Sequence, residues 1–245
     1  MNDKIIRFEV GAKGAKNAAE RGDLCIVVDV LRASTSIIAA LMGGIKSIGL
    51  GDNSSFEVNP NEITAGEQNC IKIPHFNYGN SPEDLLNTKH KGHELLFFST
   101  NGIPSIKACI TYKVPVLIGA IINADSVGLL AKEIALSLDI NIAIILAGYK
   151  GSLEQDDLLA GSLIYCNQLD SFQVQGEVKP RYSDNLLESL LTSPAGIRLS
   201  NLNLEKDIYF CAQENLTKIV PIYDEKIQQL VPIIYPSDFW ENLLC

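Results

Sequence analysis

Short runs of β-branched apolar residues alternate along the chain with stretches in which apolar residues recur at helical spacing. The clearest case is residues 25–44, CIVVDVLRASTSIIAALMGG. Its first four residues predict a strand that is buried on both faces. The apolar spacing of IIAALM predicts a helix that ends at the two glycines, and the hydroxyl side chains at 34–36 are its predicted N-caps. The segment therefore predicts a strand, an Asp-bearing loop and a helix.

The same alternation continues through most of the chain. Strands are predicted at 4–10, 45–50, 63–67, 95–98, 114–122 and 141–146, with late strands at 207–212 and 219–222. Helices are predicted at 103–111, 126–138, from about 153, and at 186–191, and a helix start at Asn80-Ser81-Pro82. The remaining stretches are predicted as a loop with a short helix at 11–22, a polar helix or loop at 52–61, and a loop at 173–183. Strands that alternate with helices indicate an α/β fold with a largely parallel sheet. Since no repeat or linker interrupts the pattern, one domain is predicted over 1–245, with the late strands joining the same sheet.

Composition narrows the function classes. The chain has 245 residues, 47% of them hydrophobic, and a formal net charge of −9. No apolar run reaches the roughly 18 residues of a membrane helix, and the N-terminus lacks the order of a signal peptide, so a cytoplasmic protein without a membrane partner is predicted. The acidic balance argues against nucleic acid as a partner. The apolar content is compatible with a homodimer.

Cysteine, histidine and serine patterns give no support to three common types of site. The six cysteines contain no Cys-x-x-Cys pair, which argues against zinc. Cys25, Cys109 and Cys211 lie in apolar runs and are predicted as core residues. The three histidines (75, 90 and 93) lie in polar surroundings, which disfavours a Cys/His pair, and no Gly-x-Ser-x-Gly motif indicates a serine hydrolase.

Polar residues follow four of the predicted strands. Asp29 and Arg32 follow the strand predicted at 25–28, and Glu67 ends the strand at 63–67. The strands at 95–98 and 141–146 lead into the polar stretches 99–102 and 148–156. Since the carboxyl ends of parallel strands share one edge of a sheet, these residues are expected to converge there. Hydroxyls, backbone amides and an arginine would suit an anion.

Carboxylates in the same region indicate a divalent ion. Asp29, Glu67 and Asp156 are oxygen ligands of the type that Mg²⁺ takes together with water and a phosphate. A simpler alternative remains open, in which Asp29 only caps the helix and Arg32 faces solvent. Glu154 and Asp157 are explained by the dipole of the helix that they begin.

Seven blocks of the sequence are similar to the 2-phosphosulfolactate phosphatase family, in the same order. They are VVDVLRASTSIIAAL (27–41), AGE (65–67), YGNSPED (78–84), FFSTNG (97–102), IGAIINADSV (118–127), LAGYKGSLEQDDLLAG (146–161) and DIYFCAQENLTKIVPIYD (207–224). The resemblance implies a three-layer α/β/α fold on a mixed sheet. It also implies an Mg²⁺-dependent phosphatase that acts on 2-phospho-3-sulfolactate in coenzyme M biosynthesis.

Combining the motifs with this resemblance, we predict hydrolysis of the phosphomonoester of a small 2-hydroxy acid. The predicted catalytic residues are Asp29, Arg32 and Asn101; the substrate-binding residues are Ser34, Thr35, Asn80, Ser81, Thr100 and Gly102; and the Mg²⁺ ligands are Asp29, Glu67 and Asp156. The sequence does not decide whether Asp29 is a nucleophile or a metal ligand.

The chain departs from the family pattern in one block. Many members have Cys-Ala-Gly where this chain has Leu146-Ala147-Gly148, and Gln155 displaces an acidic residue. One alternative is therefore a non-catalytic binder of a phosphorylated or sulfonated acid. A nucleotide-binding domain is a weaker alternative, because no glycine-rich phosphate-binding motif follows any strand.

Overall fold

The computed structural model describes residues 4–51, 58–59 and 61–235. Most of the predicted helix or loop at 52–61, and the C-terminal ten residues, lie outside these ranges. The described strands are β1 (Ile5–Val10), β2 (Leu24–Val28), β3 (Ser47–Leu50), β4 (Ile63–Gln68), β5 (Ile71–Lys72), β6 (Glu94–Phe98), β7 (Val116–Gly119), β8 (Ile142–Leu146), β9 (Gln173–Gln175), β10 (Ile219–Asp224) and β11 (Gln229–Ile234). They form one mixed sheet in the order β5-β4-β6-β3-β11-β10-β7-β2-β8-β1-β9.

Helices connect most of the parallel strands. They are α1 (Gly11–Glu20), α2 (Ala33–Met42), α3 (Pro82–Leu86), α4 (Gly102–Ile110), α5 (Ala124–Leu138), α6 (Gln155–Ile164), α7 (Leu186–Thr192), α8 (Pro194–Ser200) and α9 (Glu205–Cys211). A short 3-10 turn precedes α5, and a π-helical turn follows α6. None of the helices in the described part of the chain has the length and apolar character that a membrane crossing requires.

Two apolar cores separate the sheet from its helices. In β2, alternate side chains such as Ile26 and Val27 enter opposite cores. The core around Ile26 includes residues of α5 and α6, whereas the core around Val27 includes residues of α1 and α4. All five residues of β2 are buried, as expected for a strand with helices on both faces. The predicted three-layer α/β/α fold with a mixed, largely parallel sheet is confirmed.

The sheet consists of two parallel groups joined by a hairpin. Strands β7, β2, β8, β1 and β9 form one group, and β4, β6 and β3 form the other. The antiparallel hairpin of β10 and β11 lies between the groups. Nevertheless, a Cβ atom added to Gly102, after β6, would lie 2.8 Å from Oδ2 of Asp29, after β2. The three antiparallel pairings between the groups make β4, β6 and β3 run opposite to β7, β2 and β8, and the loops after β2 and β6 still meet.

Most predicted elements of the first 170 residues are confirmed, with changes at their ends. The predicted strand 114–122 is limited to β7 and continues as a 3-10 turn, and the helix expected from about 153 begins at Gln155. The stretch 11–22 is more ordered than predicted, because helix α1 begins directly after β1. Ser81 stands at the N-cap position of α3 with Pro82 after it, as predicted.

The late part of the chain differs from the prediction in several places. The strand predicted at 207–212 is wrong, since residues up to Cys211 belong to α9. Asp207, Ile208, Phe210 and Cys211 are buried while Tyr209 is 52% exposed, which is the spacing of a helix face. Part of the loop predicted at 173–183 pairs with β1 as strand β9, and β10 is paired by β11, which was not predicted.

Candidate active site

One cleft lies where the two parallel groups of strands meet. It receives side chains from the loops after β2, β6 and β8, from the end of β4, from the segment before α3, and from α8. The lining residues are Asp29, Leu31, Arg32, Glu67, Asn69, Cys70, Asn80, Ser99, Thr100, Asn101, Tyr149, Lys150 and Arg198. The structure thus brings together residues from all four polar strand ends. They do not share one edge of a parallel sheet as expected, because the antiparallel pairings through β10 and β11 make β4 and β6 run opposite to β2 and β8.

Asp29 lies at the carboxyl end of β2 and is held by backbone amides. Its Oδ1 accepts a hydrogen bond from the amide of Ala33 at 3.2 Å. Burial raises the pKa of Asp29 to about 6, and the charge of Glu67 acts in the same direction. The amides of Ala33 and Gly102 and the charge of Arg32 oppose this shift. Asp29 is thus both a helix-capping acceptor and a partly exposed carboxyl group in the cleft.

Gly102 is the first residue of α4 and packs directly against Asp29. A Cβ atom at this position would lie 2.8 Å from Oδ2 of Asp29 and 3.0 Å from the Cβ of Ala33. The neighbouring Ser99 hydroxyl accepts a hydrogen bond from the amide of Ile103 at 3.0 Å. Because only a hydrogen atom fits at residue 102, the backbone of α4 can approach the carboxylate.

Glu67 and Thr100 contact each other in the cleft. The hydroxyl of Thr100 donates to Oε1 of Glu67 at 3.0 Å, and the amide of Cys70 donates to Oε2 at 2.6 Å. Burial raises the pKa of the Cys70 thiol, while the charges of Arg32 and Arg198 act in the opposite direction. The raised pKa keeps this thiol protonated and poorly nucleophilic.

Arg32 is buried and bound within the protein. Its Nη1 donates to Oδ2 of Asp207 at 2.5 Å, and its Nη2 donates to the carbonyl of Cys70 at 2.8 Å. The hydroxyl of Ser81 donates to the other oxygen of Asp207 at 2.7 Å. The alternative in which Arg32 faces solvent is therefore wrong. Arg32 and the predicted binding residue Ser81 both contact a carboxylate of α9 that the sequence reasoning had placed on a strand.

Asp157 lies behind the cleft and joins two of its loops. Its Oδ1 accepts from the amide of Val30 at 2.9 Å, and its Oδ2 accepts from the amide of Gly148 at 2.8 Å. The carboxyl group is buried, and this burial, with the charges of Asp156 and Asp29, raises its pKa. The helix dipole alone therefore does not explain Asp157, which fixes the loops after β2 and β8 to each other.

Asp156, a predicted metal ligand, is buried and does not line the cleft. Burial raises its pKa to about 7, and its Oδ1 has no hydrogen-bond partner among the described residues. In the described ranges, no group of three or more His, Cys, Asp or Glu side chains is arranged to hold a metal ion. The predicted set of three carboxylates is thus not assembled in the cleft.

A smaller ligand set does fit a magnesium ion. Mg²⁺ is commonly held by one or two carboxylates, with water and substrate phosphate completing its octahedron. Asp29 and Glu67 line the same cleft, and the charge of Glu67 raises the pKa of Asp29. A bound cation would relieve this repulsion.

The predicted binding residues Ser34 and Thr35 do not line the cleft. The hydroxyl of Ser34 accepts from the amide of Asp29 at 2.9 Å, and that of Thr35 donates to the carbonyl of Val30 at 2.9 Å. They are not N-caps either, because the N-cap residue of α2 is Arg32. Both hydroxyls instead fix the loop that carries Asp29.

Asn80, Thr100 and Asn101 do line the cleft. Asn80 is buried, and its side-chain oxygen has no hydrogen-bond partner within the described part of the chain. The side chain of Asn101 accepts from the amide of Lys150 at 3.4 Å. These three amide and hydroxyl side chains are thus placed where a polar ligand could contact them.

Two cations of the cleft were not singled out from the sequence. Lys150 and Arg198 both lie against the ring of Tyr149, with Nζ of Lys150 5.1 Å and Cζ of Arg198 4.5 Å from its centroid. Nη2 of Arg198 also donates to Glu154 at 3.1 Å. Lys150 was within reach of sequence reasoning because it follows β8, whereas Arg198 lies on α8, which was not predicted.

Leu146 points away from the cleft. It is fully buried at the end of β8, in the core shared with α6, where a Cβ on Gly161 would meet its Cδ2 at 2.9 Å. Cys25, Cys109 and Cys211 are also buried, which confirms them as core residues, and none of the three histidines lines the cleft. Leu146 therefore does not line the cleft, which argues against a loss of turnover caused by this residue.

Comparison with known proteins identifies the family of the chain. The model of the 2-phosphosulfolactate phosphatase family matches residues 12–226. The chain belongs to this family. Proteins named as probable 2-phosphosulfolactate phosphatases are 32% identical to it in Thermus thermophilus over 82% of this chain and 87% of the relative, and 30% identical in Clostridium tetani over 93% and 99%. A relative with the same name in Symbiobacterium thermophilum is 31% identical over 83% of this chain and 92% of its own.

The match to the 2-phosphosulfolactate phosphatase family extends over every loop that forms the cleft. Its range includes Asp29 near one end and both Arg198 and Asp207 near the other. The cleft, including Arg198 of α8, therefore lies within the region that this family shares, as does Asp207 of α9, which binds Arg32.

Proposed function

We propose that this protein hydrolyses the phosphomonoester of a small 2-hydroxy acid, converting 2-phospho-3-sulfolactate to 3-sulfolactate and phosphate. The observation that carries the proposal is the position of Asp29. It lies at the carboxyl end of the central strand, in a cleft of amide, hydroxyl and cationic side chains, in a chain of the 2-phosphosulfolactate phosphatase family.

Asp29 and Glu67 would hold Mg²⁺, consistent with their common position in the cleft and the raised pKa of Asp29. When bound, the ion supplies positive charge that stabilises the oxygens of the phosphoryl group during transfer. Of the two roles open to Asp29, we favour the metal ligand, because the adjacent charge of Glu67 opposes ionisation of Asp29 unless a cation is present.

The remaining residues bind and orient the substrate. Asn80 and Thr100 offer a side-chain amide and a hydroxyl to the phosphate, and Asn101 lies beside them at the start of α4. Arg32 acts indirectly: its ion pair with Asp207 fixes α9 against the loop that carries Asp29. A role in coenzyme M biosynthesis and a cytoplasmic location remain predictions from the resemblance and the composition.

Release of inorganic phosphate tests the proposal. The wild-type protein, freed of metal by exhaustive chelation, should be assayed on 2-phosphosulfolactate and on a panel of other phosphomonoesters, with and without added Mg²⁺. We expect turnover of 2-phosphosulfolactate only with the added ion, and binding of Mg²⁺ that weakens in Glu67→Gln. Full activity after chelation would refute the metal requirement, and no phosphate release from any ester would refute the hydrolase.

A further inference from the structure

The cations of the cleft differ in their freedom to bind a ligand. Among the described residues that line it, the positively charged side chains are Arg32, Lys150 and Arg198. Arg32 is 4% exposed at its side chain, and both of its terminal nitrogens bind protein oxygens. If Arg32 turned toward a substrate, the carboxylate of Asp207 would remain buried without its partner, which is energetically costly. Arg32 is therefore held in place by the protein, which limits its freedom to turn toward a ligand.

Arg198 is placed differently. Its side chain is 36% exposed and lies over the ring of Tyr149, and Nη2 contacts Glu154. Its Nε and Nη1 make no hydrogen bond within the described residues. The ammonium group of Lys150 approaches the same ring. Arg198 thus presents a planar, partly fixed guanidinium group to the cleft, with donors that remain free.

The cleft also contains carboxylates that would repel a second acidic group on a substrate. Asp29 and Glu67 lie in the same cleft as Arg198, and one Mg²⁺ shared with a phosphate would leave little positive charge for another anion. A sulfonate or carboxylate therefore needs its own cation. A guanidinium group suits this purpose, because two parallel N–H donors match two oxygens of such an anion.

We infer that Arg198, assisted by Lys150, binds one of the two acidic groups that the substrate carries besides its phosphate, and so selects phosphorylated acids over simple alkyl phosphates. This inference rests on the proposed phosphatase function. It assigns the phosphoryl group to the side of the cleft with Asp29 and the sulfonate or carboxylate to the side with Tyr149.

A comparison of two substrates tests the inference. We expect Arg198→Ala to lower kcat/KM for 2-phosphosulfolactate by about 10- to 100-fold, mainly through KM, since hydrogen bonds to charged groups have this strength. Isopropyl phosphate has no acidic group besides its phosphate, so its kcat/KM should change less than about twofold. Arg198→Lys should recover part of the loss, because it retains the charge without the planar fork.

Two control variants separate ligand binding from structural effects. Glu154→Gln removes the ion pair but keeps Arg198, and Arg21→Ala removes a similarly exposed arginine, also paired with a glutamate, that does not line the cleft. Both should stay within about threefold of wild type on 2-phosphosulfolactate. Equal losses on both substrates in Arg198→Ala, or a Glu154→Gln variant as impaired as Arg198→Ala, would overturn the inference.

A binding measurement keeps the inference testable if no phosphatase activity is found. The affinity for 3-sulfolactate, which retains both acidic groups but has no phosphate, can be measured by calorimetry. Binding that is at least about tenfold weaker in Arg198→Ala than in wild type would support the role of Arg198. Equal affinities, or the absence of binding to the wild type, would contradict it.

Discussion

Asp29 and Asp157 have similar surroundings but face different parts of the molecule. Both are carboxyl groups near the carboxyl ends of neighbouring parallel strands, both accept hydrogen bonds from backbone amides, and burial raises the pKa of both. Asp29 lines the cleft, whereas Asp157 is sealed behind it between two loops. The comparison teaches that a perturbed carboxyl group at a strand end is a functional candidate only if one of its sides remains open to a ligand.

The arginines repeat this contrast. The pair of Arg32 and Asp207 is almost completely buried, at 4% and 3% exposure of the side chains, whereas Arg198 and Glu154 are 36% and 14% exposed. The ion pair of Arg32 and Asp207 (the inner pair) stabilises the fold around the cleft, whereas that of Arg198 and Glu154 (the outer pair) leaves donors free for a ligand. Substitutions at the buried residues should therefore mainly lower stability, whereas substitutions at the residues that face the cleft should mainly lower activity.

The largest expected effect concerns the inner ion pair. Asp207→Ala leaves the guanidinium of Arg32 buried without a counter-charge, so the free energy of unfolding should fall by about 3–5 kcal/mol. Glu154→Ala, the matched change at the outer pair, should cost less than about 1 kcal/mol. Denaturant titrations of the two variants measure both values. Similar losses would show that the two pairs do not differ as described.

The next effect concerns Asp29. Asp29→Asn keeps an acceptor for the amide of Ala33 but removes the charge, so turnover should fall at least about a hundredfold. At pH 8 the loss of a buried charge with a raised pKa raises the free energy of unfolding, and the loss of an acceptor for the amide of Gly102 lowers it, so the net change should be smaller than in Asp157→Asn. Assays of phosphate release and denaturation check the two outcomes. A variant with normal turnover would mean that Asp29 only caps α2.

The same substitution at Asp157 should have the opposite pattern. Asparagine has one acceptor oxygen in place of two, so the amide of Val30 or of Gly148 loses its partner. At pH 8 the removal of a buried charge with a raised pKa acts in the stabilising direction here too, so the free energy of unfolding should fall by at most about 1–3 kcal/mol, the cost of an unsatisfied buried polar group. Turnover per folded molecule should fall far less than in Asp29→Asn. If Asp157→Asn were as inactive as Asp29→Asn, Asp157 would belong to the reaction itself.

A different kind of effect is the pH dependence that arises from Asp156. Burial raises its pKa from 3.8 to about 7, so the native state binds more protons than the unfolded state between these values. This carboxyl group therefore makes the protein less stable as the pH rises from about 4 to about 7. The free energy of unfolding of Asp156→Asn should lose this contribution, which reaches about 1.4 kcal/mol per pH unit. Denaturation of both proteins across this range, in chelator, measures the difference, and parallel curves would contradict it.

The sequence identified the residues of the cleft that follow strands but not those that helices α8 and α9 place around it. Asp29, Glu67 and 99–102 could be found because each stands where a short apolar run stops, a local signal. The ion pair of Arg32 with Asp207 joins residues that are 175 positions apart in the chain, so no local sequence pattern predicts it. The surrounding segment DIYFC also contains residues that favour strands, so the helix that carries Asp207 was mistaken for one.

The position of Arg198 was partly within reach. Ser193 and Pro194 form the same helix-start signal as Ser81 and Pro82, which was recognised, and the Ser193 hydroxyl accepts from the amide of Gly196 at 3.0 Å. Helix α8 could therefore have been predicted. The contact of Arg198 with Tyr149 could not, because it depends on how α8 packs against the loop after β8.

The close packing of Gly102 against Asp29 limits which residues of the cleft can be substituted. Even one added methyl group at residue 102 would meet Oδ2 of Asp29 at 2.8 Å, so mutation offers no gradual path there. The half-exposed or exposed side chains of Tyr149, Lys150 and Arg198 have no such constraint. We therefore expect substitutions at these three residues to change the substrate preference, while Asp29 and Gly102 stay the same.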